Sequence, residues 1–108
     1  MPATLPDGFL PALSRRLEAH YGDRLVRAVL FGSYARGEAT EESDVDVLVV
    51  LQGEADTWTE SGPLSGITLD FLFEYGEVVS FVAIGEEIWE RGWSFVQNVR
   101  EDGIPLAA

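Results

Sequence analysis

The chain has no cysteine and no lysine, and only one histidine and one methionine among 108 residues. Without cysteine, disulfides, zinc–thiolate sites and thiol catalysis are excluded. Without lysine, all positive charge rests on seven arginines (Arg15, Arg16, Arg24, Arg27, Arg36, Arg91, Arg100), set against 19 acidic residues for a formal net charge of −12. These arginines are scattered or paired in twos, whereas neutralising a phosphate backbone needs a basic patch. Free DNA or RNA is therefore disfavoured as a partner, and so is an anionic membrane surface. No apolar run approaches the roughly 18 residues of a membrane span, and Met1–Leu10 lacks the basic segment of a signal peptide. What remains is a folding composition, 46% apolar and 11% aromatic. It suffices for one core, and the chain is too short for two. The expectation is a single cytoplasmic domain over residues 1–108, with the oligomeric state open, a homo-oligomer included.

Apolar residues at Phe9, Leu10, Leu13, Leu17 and Tyr21 recur at helical spacing, with Asp7 placed to cap the start and Gly22 to end the helix. Leu25–Phe31 and Val45–Leu51 are β-branched apolar runs that read as buried strands. Residues 52–62 are loop-like. Residues 63–75 are ambiguous. Leu64, Ile67, Phe71 and Tyr75 suit one helical face, which is the favoured reading, but 67–73 also alternates as a strand would. A third strand is expected over 78–84 and short helices over 86–91 and 93–101, with Gly103-Ile104-Pro105 ending regular structure. The fold class expected is α/β (α+β), a small mixed β-sheet flanked by helices.

Chemistry concentrates in Phe31-Gly32-Ser33-Tyr34-Ala35-Arg36-Gly37 followed by Ser43-Asp44-Val45-Asp46, a G-S-x10-D-x-D pattern. A glycine after a buried strand lets backbone approach a ligand closely. Ser33 adds a hydroxyl, and a short helix starting near Tyr34 would aim free N–H groups at the same place. At i and i+2 on a strand, Asp44 and Asp46 share a face while Val45 and Val47 turn to the core. Two carboxylates on a rigid strand suit Mg²⁺, whose remaining positions water and triphosphate oxygens fill. Either half of the pattern alone is weak. Asp44 would serve as a turn acid and Asp46 as a solvated edge residue. The full spacing arises by chance on the order of once in a thousand chains of this length, and a lone carboxylate in a valine-rich strand is costly without a cation.

Residues 30–50 resemble the minimal nucleotidyltransferases of the DNA polymerase beta-like superfamily, which includes the MNT-type antitoxins of HEPN/MNT toxin–antitoxin pairs. The flanking helix, the third strand and Asn98-Val99-Arg100-Glu101-Asp102-Gly103-Ile104-Pro105-Leu106 are similar too, so the likeness covers most of the chain. The resemblance implies that Gly32 and Ser33 hold nucleotide phosphates and that Asp44 and Asp46 bind two divalent metals. The family arginine matches Arg36, whose residue-level roles are phosphate contact or pairing with Asp44 or Glu42. It also implies ATP or another NTP as substrate, Mg²⁺ as cofactor and a HEPN-type toxin as partner, with NMP passed to a hydroxyl on that partner. One departure stands out. The third carboxylate of such sites belongs in 78–84, where Ser80 stands instead. Serine is no general base at neutral pH. Asp70 is the best substitute if 67–73 is a sheet strand, with Glu74 and Glu77 weaker candidates. The competing reading is a catalytically weak or inactive module that masks a basic partner. Trp58 suits base stacking, an interface or packing equally; Trp89 and Trp93 suit the core or an interface.

Overall fold

The computed structural model describes Pro2 to Ala107, the Ala107 side chain apart. Its elements run α1 (Phe9–Tyr21), β1 (Leu25–Phe31), α2 (Gly32–Arg36), β2 (Val45–Leu51), α3 (Thr57–Tyr75), β3 (Val79–Gly85), α4 (Glu86–Arg91), α5 (Ser94–Asp102) and β4 (Ile104–Ala107). The strands form one mixed sheet in the order β3-β2-β1-β4. β2 is antiparallel to β1 and parallel to β3, and β4 is antiparallel to β1. This is the expected α/β class.

Strand alternation divides the core in two. Val45, Val47, Val49 and Leu51 of β2, with Ala28 and Leu30 of β1, meet Phe9, Leu13 and Leu17 of α1 and Leu64, Ile67 and Phe71 of α3. The opposite face, with Val29, Leu48 and Val50, meets Trp89 of α4 and Val96 and Val99 of α5. The central strands are buried on both faces, which is why they read as continuous apolar runs rather than as alternating ones.

Several expectations change. Gly8, not Asp7, stands at the α1 cap, in a left-handed conformation (φ 81°) with no side-chain cap bond; Gly22 ends the helix by donating its N–H to Glu18 O. Residues 63–75 are helical, and the helix starts earlier, at Thr57. Pro63 and Gly62 suggest a break, but Asp56 caps the helix by accepting from the Thr59 N–H at 2.7 Å. Thr57 Oγ1 accepts from Ala83 N–H at 3.0 Å, fastening that end to β3. The segment after Gly103 is not irregular: Ile104–Ala107 is an edge strand, where proline is tolerated because no neighbour needs its N–H.

The Asp56 cap yields a prediction. Hydrogen bonds from Thr59 hold the Asp56 carboxyl below its ordinary 3.8, so it stabilises the fold above that pH and loses the effect as pH falls through the lowered native value. An Asp56→Ala variant should show a lower Tm at pH 7, measured by circular dichroism, with the gap to wild type closing in acid.

Candidate active site

β1 ends at Phe31 and the chain turns directly into α2, which starts at Gly32, two residues earlier than the sequence suggests. Gly32 has φ 74°, and a Cβ there would overlap the Asp46 carboxylate. The turn therefore needs glycine twice over, for its backbone conformation and for its contact with β2. After α2, Gly37 takes a left-handed cap and the Glu38 N–H bonds Ser33 O at 2.9 Å. A turn closed by Thr40 N–H on Ser43 Oγ (2.9 Å) and Ser43 N–H on Thr40 O (3.0 Å) then delivers Asp44 to the start of β2.

Asp44 is exposed just ahead of β2, and Asp46 is partly buried one residue into it. Asp46 pairs in register with Phe31 on one side and Ser80 on the other. Its alternation with Leu48 and Val50 places it on the α4/α5 face of the sheet. Burial pushes its carboxyl above the ordinary 3.8, the Asp44 charge pushes it the same way, and Arg36 opposes both. Arg36 is exposed and contacts Glu38 at 3.5 Å, rather than Asp44 or Glu42. Gly32, Ser33, Asp44 and Asp46 thus meet at one end of the β1–β2 pair.

Asp70 does not join them. Residues 67–73 are helical, and α3 packs on the sheet face opposite to Asp46. The Asp70 carboxylate pairs with Arg16 of α1 at 2.6 Å. Both partners are about half exposed, so an Asp70→Asn change should cost at most about 0.5 kcal/mol in urea melts and leave any nucleotide binding intact. Glu77 is engaged elsewhere, accepting from Tyr34 Oη at 3.3 Å. Ser80 lies beside Asp46 on the same face, exposed. Among the described residues no group of three or more His, Cys, Asp or Glu is placed to hold a metal.

The donor set fits a hard divalent cation through two carboxylates. Asp46 is held in a cradle that a Cβ on Gly32 would fill, and two like charges side by side are unfavourable until a cation joins them. Beside it lies a groove of 260 Å³ whose walls include Phe31, Gly32, Arg36, Phe95, Asn98 and Asp102. Phe31 and Phe95 meet there with ring centroids 5.4 Å apart and planes tilted by 56°. No sequence pattern assigns the α5 residues to this groove, because only the return of α5 across the sheet brings them to Gly32.

The mixed sheet, with its Gly-Ser turn beside an Asp-x-Asp pair, is a nucleotidyltransferase fold. The family pattern described as "Nucleotidyltransferase domain" matches residues 10–100, and the chain belongs to that family, a family of transferases. Among its relatives, MJ0604 of Methanocaldococcus jannaschii, provisionally named a protein adenylyltransferase, is 37% identical over 89 residues, covering 81% of this chain and 83% of the relative. The protein adenylyltransferase MntA of Thermococcus cleftensis is 46% identical over 43 residues, 40% of this chain and 41% of its own. Among solved structures, a chain of a toxin–antitoxin crystallised with AMP-PNP superposes with a TM-score of 0.58 at 18% identity, over 86% of this chain and 71% of that one. A chain from a mutant form of the MntA–HpeT toxin–antitoxin gives 0.56 at 24% identity, over 88% and 69%. At these identities the superpositions establish the fold.

Proposed function

We propose that this chain is the adenylyltransferase antitoxin of a HEPN-type toxin, working in the cytoplasm. It would pass AMP from ATP to a hydroxyl on the toxin, breaking the α–β phosphoric anhydride, forming a phosphodiester and releasing pyrophosphate. The observation that carries this reading is the contact between Gly32 and Asp46, which would couple a turn suited to phosphate to a carboxylate pair suited to a metal. Relatives named as protein adenylyltransferases support a protein acceptor. Asp44 and Asp46 would hold Mg²⁺, which when bound neutralises triphosphate charge. Gly32 and Ser33 would seat the phosphates, Arg36 would add a positive charge beside them, and the groove lined by Phe95 and Asn98 is open to the nucleoside.

Among the described residues no third carboxylate is grouped with Asp44 and Asp46 to take the acceptor proton, and Ser80 occupies the place beside Asp46. That observation favours the second reading, a module that silences its partner by masking. Incubation of the co-purified pair with α-labelled ATP and Mg²⁺ separates the two. Label on the partner is the expected result, and a stable complex without label would support masking. On the same reasoning Ser80→Asp should tighten Mg²⁺ binding several-fold by calorimetry, because it adds a ligand on the face of Asp46.

A further inference from the structure

With so few arginines among so many acids, pairing is the default. Arg16, Arg24, Arg36 and Arg91 each lie within 4 Å of a carboxylate. Among the described residues Arg15, Arg27 and Arg100 have no such partner, and the fold brings the last two together. Arg27 stands on β1 in register with Val50, on the α4/α5 face. Arg100 comes from α5. Their guanidiniums lie 4.9 and 4.5 Å from the ring of buried Trp89, and Arg100 Nη2 donates to Trp89 O at 2.6 Å. Arg27 Nε is buried with no hydrogen-bond partner.

Stacking on an indole uses the flat faces of a guanidinium. Apart from the Arg100 N–H given to Trp89 O, it leaves the N–H groups in the plane free, and those are what recognise an oxyanion. A buried charged donor without an acceptor is costly, and an exception of this kind calls for an ion or water to complete it. Both arginines line one cavity of 470 Å³, together with Val29, Trp89, Val99 and the single carboxylate Glu90. Arg27 is four residues along β1 from Phe31, the partner of Asp46, so the cavity lies about 13 Å from the carboxylate pair.

We propose that this cavity is a second, separate binding site that takes a phosphate group, free or esterified, between Arg27 and Arg100. The proposal does not rest on the nucleotidyl-transfer reading. The test uses a Trp58→Phe, Trp93→Phe background; both residues are exposed, so Trp89 becomes the one tryptophan. Inorganic phosphate, pyrophosphate and AMP are titrated in EDTA, which keeps divalent metal from the carboxylate pair. The expected result is a saturable change in Trp89 fluorescence and a shift of the Arg27 Nε–H resonance, with Arg27→Gln and Arg100→Gln each weakening binding about tenfold or more. Stronger binding of AMP would identify an ester as the ligand; stronger binding of phosphate or pyrophosphate, a free anion. Absence of saturation with all three up to roughly 20 mM would overturn the proposal. So would an equal response to potassium chloride at matched ionic strength, or an unchanged response in both arginine variants. The Arg27 resonance is read in a chain with both arginines intact, so the outcome stands even if a variant fails to fold.

Discussion

A Gly32→Ala variant is expected to lose nucleotide binding and to be destabilised by at least about 2 kcal/mol. Two independent costs add. The residue has φ 74°, a left-handed conformation that costs a non-glycine residue about 1 kcal/mol or more. The new methyl would also overlap the Asp46 carboxylate and must displace it, the turn or both. Displacements near 1 Å at a positioned group reduce turnover by about 10²-fold, so label transfer should fall at least that far. Urea melts and the labelling assay read the two effects separately. A control Gly62→Ala substitution, inside α3 with open space around it, should leave stability unchanged or raise it through helix propensity and leave transfer unchanged.

An Asp46→Asn variant is expected to move stability in opposite directions depending on the metal. Without metal, ionised Asp46 is a burden, because burial and the Asp44 charge both favour its neutral form. Above its raised native value the burden is present in full; below 3.8 the side chain is protonated folded or unfolded, and the burden is gone. The variant should therefore exceed wild type in Tm at pH 7 and converge with it in acid. With Mg·ATP present the order reverses. A ligand at a hundred times its Kd stabilises by about 2.7 kcal/mol, or roughly 10 °C or more for a domain of this size. The variant should forfeit that gain. Scanning calorimetry at pH 7 and pH 3, with and without Mg·ATP, gives all four values.

The parts of the fold legible in the sequence are those set by local pattern. β1 and β2 show as β-branched runs because both faces of each are buried, and α1 shows because Phe9, Leu13 and Leu17 repeat along one face. What depends on tertiary context was hidden. β4 contains Pro105 and pairs only because β1 offers an open edge. The start of α3 contains Gly62 and Pro63 and is secured by Asp56, Thr57 and the packing of Leu64. The same limit shaped the site. Gly32, Ser33, Asp44 and Asp46 are joined by a short connection and could be grouped from spacing alone. Asp70 could not be placed, because its segment reads both ways and the sequence does not say which face of the sheet α3 covers. Once α3 lies against Val45 and Val47, Asp70 is on the wrong side for Asp46 and its charge is answered by Arg16. The groove residues Phe95, Asn98 and Asp102 were invisible for the matching reason.

The strong acidity of the chain divides along these lines. On the proposed function Asp44 and Asp46 serve a cation, while Glu77 secures Tyr34 and Asp56 caps a helix. The charge that remains exposed disfavours polyanions and suits a basic protein partner.

On the proposed function Asp44 and Asp46, braced by Gly32, hold a metal-bound nucleotide. Titration calorimetry of Mg·ATP into the wild type and into an Asp44→Ala, Asp46→Ala variant tests it most directly. Saturable, Mg²⁺-dependent binding by the wild type and none by a variant that retains its circular dichroism spectrum is the predicted result; equal binding by both chains would contradict it.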